Sequence, residues 1–462
     1  VLEYSIAFES VMKALKDALG VDFKPCVNFE MSRRISDWSA LYADEPSWKD
    51  CAKGVYTAGI PAAISSELAR LVTFEMKSEV NNAEINKIYQ RAIDEIRIPV
   101  EFGCALGGVL LKPYLDSQSR IATQYIRADR FFPLAFDASR NMSQCVLMDQ
   151  VFVGSEIYTR LEVHLLEPAG LMIYNLAFRG SKSTAGLGTQ ITLDEVPQWV
   201  EFLPEASYPG VTKLPFGYFK MPLANTFEPD SPLGVSIFAR AVDLIKEADY
   251  RYSNLCWEYE AKQAAIHIAS SLLKIDDAGN TIYPQNRERL YLSFDYNVGA
   301  TDKPLIDPYS PEIRDSSIYS GFQNQLKMIE YVSGLAYGTI SDPQVVEKTA
   351  TEIKSSKQRS YVTIADTQKA LQVALEDFVL AIAFLLGTTA PTVTFKWDDS
   401  VINDPDALQR QKLLEFSSGL IDAVQYHMDV YGLKEADAIK LVDRIVARAT
   451  AAPTTEEDVI IE

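Results

Sequence analysis

Residues able to do chemistry are few in this chain, and they are scattered. The three histidines, His164, His267 and His427, fall in different segments. His164 and His267 sit inside strand-like runs, where a structural imidazole is expected rather than a general base or a metal ligand. The acidic pairs Asp276–Asp277 and Asp398–Asp399 occupy turn sequences, where solvation is the default over cation binding. The chain has 63 acidic residues, yet no spacing singles out a catalytic pair. The run GLGT, 186–189, lies among Ser and Thr in a loop-like stretch, and no GxxxxGK[ST], GxSxG or HExxH run occurs. The cysteines, Cys26, Cys51, Cys104, Cys145 and Cys256, are odd in number and form no CxxC pair. Buried free thiols are therefore expected, not a zinc site or a disulfide framework. The residues point to no enzyme, no metal and no cofactor.

One polar stretch stands apart. EKTATEIKSSKQRSY, 347–361, sets Lys348, Lys354, Lys357 and Arg359 against Glu347 and Glu352. It is a basic island in a chain of formal net charge −19 and pI about 4.8. Ala350, Ile353 and Ile364 are too sparse to bury a helix face unaided. A chain this acidic does not clamp DNA by counterion release, which needs a basic face. Like charge keeps a passing polyanion from sticking.

The elements that must position these residues follow from the hydrophobic pattern. With 462 residues, 47% hydrophobic and 23% charged, the chain is long enough for several cores and too apolar for disorder. The first hundred residues read as helical, for example AAISSELARLVTFEMKSEV with Ile64, Leu68, Leu71, Val72 and Met76 at helical spacing. From Ala105, the runs VLLKPYL, RIATQYI, QCVLMDQVFV, IYTRLEVHLL and GLMIYNLAF predict an antiparallel meander. Beyond Pro232 and Gly234, apolar residues from Ile237 to Tyr259 recur three or four apart and predict a helix about 40 Å long. A small β module follows: AAIHIASSLLKI, a DDAGN turn and RLYLSFDYN. Ser310–Pro311 reads as the start of a second long helix, ended by Gly334 and Gly338. Asp342–Pro343 reads as the cap of a third, which ends after the apolar run 378–386. The strand TVTFKWD comes next, then short helices from Asp404 to Thr450. The N-terminal stretch is amphipathic and carries acids, unlike a secretory signal, and 378–386 is too short to span a bilayer. A soluble protein made inside the cell, with no membrane partner, is expected.

In order and over most of the chain, these segments resemble the portal proteins of tailed double-stranded DNA bacteriophages, in particular the long-tailed phages of Gram-positive bacteria and their prophages. ISDWSALYADEPSW looks like the family's N-terminal motif, and ELARLVTFE like its first wing helix. ALGGVLLKPYLD and YIRADRFFPLAFD are similar to its wing strands, and SPLGVSIFARAVDLIKEADYRYSNL to the helix that enters the stem. GLAYGTISDPQVVEKTATEIKSSKQRSY resembles the junction of second stem helix, tunnel loop and following helix.

The resemblance implies the α+β phage portal fold: a wing (1–230 and 350–403), a two-helix stem (231–259 and 311–335), a β-containing clip (260–310), a tunnel loop (336–349), and a helical crown and tail (404–462). It implies a ring of about twelve subunits at one capsid vertex of the virion, assembled in the bacterial host cytoplasm. That ring would conduct double-stranded DNA in packaging and ejection and connect head to tail. The implied partners are the terminase large subunit, a head–tail connector or adaptor, and the major capsid and scaffold proteins. The DNA-facing tunnel loop would contain Ser341, Asp342, Gln344, Val345, Glu347 and Lys348. Asp276, Asp277, Asn280, Arg287, Glu288 and Arg289 of the clip would dock partners. Thr349, Thr351, Lys354, Ser355, Lys357 and Arg359 would lie on an inter-subunit helix. A ring or shell scaffold with no DNA role is the alternative, and a carboxylate-based hydrolase a more distant one.

Overall fold

The structure is a computed structural model that describes residues 4–21, 23, 26–74, 76–116, 118–181, 186–262, 265–269, 276–277, 291–294, 306–309, 312–343, 350–397 and 405–451. The chain divides into two units, residues 1–396 and 397–462.

The first unit opens with α1 (Tyr4–Leu19), α2 (Phe29–Tyr42) and α3 (Ile60–Thr73). Each turns an apolar stripe inward: Val11 and Leu15, then Met31, Ile35 and Trp38, then Ile64, Leu68 and Val72 are buried. The spacing of three and four is what places residues on one helix face. The Asn28 side chain caps α2 by accepting from the Met31 amide at 2.7 Å. Next come β1 (Met76–Val80), α4 (Ala83–Asp94) and α5 (Arg97–Leu106).

The β-rich part matches the expected meander. A hairpin of β2 (Gly108–Leu115) and β3 (Ile121–Arg127) is followed by β4 (Phe131–Phe136), β5 (Met142–Val153), β6 (Glu156–Glu167) and β7 (Gly170–Ser181), paired antiparallel in sequence order. Two short strands, β8 (Thr189–Ile191) and β9 (Glu205–Pro209), both pair with β7. β10 (Gly217–Lys220) joins β2 to give a separate sheet of order β10–β2–β3. A buried ion pair between Lys112 of β2 and Glu162 of β6 ties the two sheets together. Burial alone would push the Glu162 carboxyl up, but Lys112, His164 and Arg160 hold it well below the usual range.

The helix expected over 231–259 is shorter than the pattern predicts. α6 spans Val242–Ala261, 20 residues or about 30 Å, after a 3-10 turn at Ala239–Ala241. Residues 231–238 are buried but not helical. Pro232 and Gly234 oppose a helix there, and the Ile237 amide donates instead to the Cys104 carbonyl at the end of α5, 2.9 Å. Gly234 passes so close to Gly107 that an added Cβ would lie 2.0 Å from the Gly107 carbonyl oxygen. Only glycine fits this approach. The apolar residues Leu233, Val235, Ile237 and Phe238 are thus buried as a threaded segment, not as a helix stripe.

Beyond α6 lie β11 (Ala265–Ala269), β12 (Tyr291–Phe294), β13 (Ile306–Tyr309), α7 (Asp315–Val332), α8 (Ala350–Leu386) and β14 (Val393–Trp397). β11 pairs with β12 in parallel and with β13 antiparallel. The strand IDPY was not foreseen, because Pro308 and two flanking turn-like residues hide it. Ser310 and Pro311 lie outside the described residues, and α7 begins at Asp315, later than the sequence suggested. Residues 312–314 are non-helical, and the Arg314 amide is taken by Glu258. Residues 344–349, between Asp342–Pro343 and the first described residue of the third helix, Ala350, lie outside the described residues. At 37 residues, α8 is about 55 Å long. It buries Leu371, Leu375, Phe378, Val379 and Ile382 toward β2 and β10.

The second unit is three helices, α9 (Pro405–Ser417), α10 (Ala423–Tyr431) and α11 (Glu435–Ala451), with turns at Gly419 and Gly432. Lys412 of α9 bridges Glu415 at 2.9 Å and Asp429 of α10 at 3.0 Å.

Candidate functional site

The site is built on the antiparallel pair α6 and α7. Along the pair, the Gln325 side-chain amide donates to the Leu244 carbonyl at 3.2 Å, and the Tyr252 and Phe322 rings lie 6.1 Å apart. At the far end Tyr259 donates to Asp315 at 3.1 Å. β11 leaves α6 and β13 enters α7, so their antiparallel pairing continues that of the helices. The first half of α6 is anchored by Asp249. Its carboxylate accepts from the Trp48 indole and the Ala58 amide, both at 2.9 Å. Burial pushes the Asp249 carboxyl up, and these two donors offset part of that. Trp38 and Leu41 of the same N-terminal motif are core residues.

Each end of α7 is fastened by a glutamate. At its start Glu258, on α6, takes three bonds from Arg314: the amide at 3.1 Å, Nε at 3.2 Å and Nη2 at 3.0 Å. These bonds push the Glu258 carboxyl down to about 2. The Arg314 side chain remains 70% exposed.

Toward the other end, Glu330 has no exposed surface. Its Oε1 accepts from the amides of Ile340 at 2.7 Å and Ser341 at 2.8 Å. Its Oε2 accepts from the Gly338 amide at 3.2 Å and the Ser341 hydroxyl at 2.9 Å. None of these partners carries a charge. An ionised carboxylate, which only accepts, suits such a row of donors. Two turns back on α7, Gln323 accepts from the Asp342 amide at 2.7 Å. From α8, Thr363 donates to the Gly334 carbonyl at 2.9 Å, and the Arg359 guanidinium lies 4.4 Å from the Tyr331 ring centre and 5.6 Å from that of Tyr337. Gly334 adopts φ +73°, and an added Cβ would lie 2.6 Å from the Thr363 hydroxyl.

The residues expected to act are distributed as follows. Ser341 is buried, its hydroxyl bound to Glu330, and Asp342 follows it half-buried. Gln344, Val345, Glu347, Lys348 and Thr349 lie outside the described residues, as do Asn280, Arg287, Glu288 and Arg289. Asp276 and Asp277 are exposed. Thr351, Lys354, Ser355 and Lys357 fall on α8, and Arg359 engages Tyr331 and Tyr337 of its own chain. Sequence reasoning missed Glu258, Arg314, Glu330 and Gln323. Nothing in local pattern marks a glutamate whose partners are backbone amides eight to eleven residues on.

The other candidates resolve structurally. His164 is buried in β6 with Nε2 2.7 Å from Glu162, and its Nδ1 has no hydrogen-bond partner among the described residues. Burial lowers its pKa, and Glu162 offsets part of that. His267 lies on β11, and His427 stacks on Tyr431 with ring centres 5.4 Å apart. Leu187 of GLGT is buried just ahead of β8. Asp398 and Asp399 lie outside the described residues. All five thiols are free; Cys104 and Cys145 are buried as expected, whereas Cys26 and Cys256 are half-buried and Cys51 is exposed. Among the described residues no group of His, Cys, Asp and Glu is arranged to hold a metal ion, and no helix is long and apolar enough to cross a membrane.

An antiparallel helix pair thus carries a β module at one end and a side-chain-fastened turn at the other. The sequence matches the family described as phage portal protein, SPP1 Gp6-like, over residues 72–411, and the chain belongs to that family. It is therefore a portal protein, a ring-forming structural component of the head–tail connection in a phage-like particle. A solved structure described as "Neck of native GTA particle computed with C12 symmetry" is similar at 12% identity and TM-score 0.42, covering 86% of this chain and 97% of that one. No curated protein sequence matches.

Proposed function

We propose that about twelve copies close into a ring at one capsid vertex of the virion and conduct double-stranded DNA through the centre, inward during packaging and outward during ejection. The observation that carries this reading is the order helix, β module, helix, fastened turn, long helix within a family of portals. In it, residues 231–259 and 311–335 are the stem, 260–310 the clip, 336–349 the tunnel loop and 404–462 the crown, with the wing formed by 1–230 and 350–403. A net charge of −19 per subunit supports a conduit over a clamp, because a basic channel would hold the duplex by counterion release.

Asp342, Gln344, Val345, Glu347 and Lys348 face the DNA in this reading, and Ser341 anchors them. The clip, through Asp276, Asp277, Asn280, Arg287, Glu288 and Arg289, docks the terminase large subunit and then the connector. The major capsid and scaffold proteins are further partners of the ring. Thr349, Thr351, Lys354, Ser355, Lys357 and Arg359 belong to the helix that meets neighbouring subunits. ATP hydrolysis belongs to the terminase, and the purified chain turns over no ATP.

The test is DNA packaging with rings carrying Lys348→Glu or Glu347→Lys, after electron microscopy has established that the purified protein forms rings with a duplex-wide channel. Packaging changes in opposite directions for the two reversals if the loop faces DNA. Rings that package normally with both substitutions defeat the lumen assignment.

A further inference from the structure

We infer that Glu330 is a positioning residue: its buried carboxylate fastens the segment after α7 onto α7 itself, so that the start of the tunnel loop moves with the second stem helix. The consequence for DNA rests on the proposed lumen role of the loop; the fastening does not.

Four donors of the segment, the amides of Gly338, Ile340, Ser341 and Asp342, go to side chains of α7, three to Glu330 and one to Gln323. The Ser341 hydroxyl adds a fourth bond to Glu330. From α8, the Thr363 hydroxyl donates to the Gly334 carbonyl and the Arg359 guanidinium lies over the Tyr337 ring, while the amides of Gly338, Ile340, Ser341 and Asp342 are taken by side chains of α7. A carboxylate is the acceptor this geometry requires, since both oxygens must receive N–H or O–H groups at once. Glutamine would turn a donor toward two of those groups, and aspartate, a methylene shorter, would not reach them all. A buried carboxylate chosen only for stability has no need to gather its donors from one short segment at the root of a functional loop.

The experiment uses full-length rings of wild type, Glu330→Gln and Glu330→Asp. Amide hydrogen exchange is read at Gly338, Ile340 and Ser341, and DNA packaged per assembled particle is measured alongside. Both variants are expected to raise exchange at these amides by on the order of tenfold or more and to lower DNA packaged per ring, with aspartate retaining more than glutamine. A purely structural role predicts fewer rings but normal packaging by each ring that forms. Should either variant fail to assemble, Ser341→Ala removes one bond, keeps the carboxylate, and is expected to give smaller changes in the same directions. Unchanged exchange overturns the fastening. Raised exchange with normal packaging, in particles where Lys348→Glu does alter packaging, overturns the positioning role and leaves the lumen reading intact. If the Lys348 and Glu347 reversals are both silent, the lumen reading fails, and exchange alone decides whether Glu330 holds the segment.

Discussion

The two ends of α7 solve the same mechanical problem with different chemistry. At the clip end, Glu258 meets an arginine that is 70% exposed, through a fork of two charge-assisted bonds and one backbone amide. At the loop end, Glu330 is sealed from solvent and held by amides and a hydroxyl. The first bond competes with water and salt, which limits its worth. The second competes with neither, because the carboxylate has no exposed surface; its Gly338 donor is shared with the Ser341 hydroxyl at 3.1 Å, itself bound to Glu330. One end of the helix is held by an adjustable clasp, the other by a fixed one. On the proposed assignment, this suits a stem whose clip accepts successive partners while its loop keeps one position relative to the helix.

The largest expected effect tests the fixed end. Glu330→Ala strips the acceptor from three amides and a hydroxyl at once. A buried polar group left without a partner costs about 1–3 kcal/mol, and water entering the vacated space relieves part of the total. A loss of on the order of 2–4 kcal/mol is expected in chemical denaturation of the full-length protein. The loss should be nearly the same at low and high salt. A strongly salt-dependent loss would mean that the carboxylate is reached by solvent, and the contrast between the ends would collapse.

A smaller effect, and one of opposite character, is expected from Arg314→Ala. The backbone bond from residue 314 to Glu258 survives, and only the exposed guanidinium is lost. Salt should shrink the difference from wild type. Acid should abolish it. The folded Glu258 carboxyl is pushed from its usual 4.5 down to about 2, so the stabilisation is fully present above pH 4.5 and is lost as pH falls toward 2. Denaturation midpoints of wild type and variant should therefore converge across that window. Parallel curves through it would show that Glu258 gains nothing from the arginine.

How far the sequence revealed these features depended on whether the signal was periodic. The meander was legible because β5, β6 and β7 are long runs rich in β-forming residues and separated by turn residues, and the long stripe from Leu371 to Ile382 in α8 announced its own burial. The helical stripe expected from Ile237 starts later in the structure because Ile237 and Phe238, with Leu233 and Val235 before them, are apolar for a different reason: they thread between α5 and β10, where Gly234 meets Gly107. Pro232 and Gly234 carried the warning. The clasp residues left no trace, since Glu258 and Glu330 look like any exposed helix glutamate until the chain returns to them. The three-stranded order β12–β11–β13 was equally hidden, because its parallel pair joins strands that a turn-based reading treats as a hairpin.

The smallest expected effect asks whether the fixed end is one unit. Thr363 of α8 donates to the Gly334 carbonyl at 2.9 Å, while its own helix offers a poorer acceptor, the Arg359 carbonyl at 3.3 Å. Thr363→Val keeps the shape and removes the proton, for a loss of about 0.5–1.5 kcal/mol. If Gly334 to Ser341 is a single rigid connection, releasing it from α7 also weakens what Thr363 holds. In a double-mutant cycle with Glu330→Ala, the two losses should then fall short of their sum by roughly 0.5 kcal/mol or more. Strict additivity would mean that α7 and α8 grip two independent pieces of chain, and that movement of the stem helix ends at Ser341 without reaching α8.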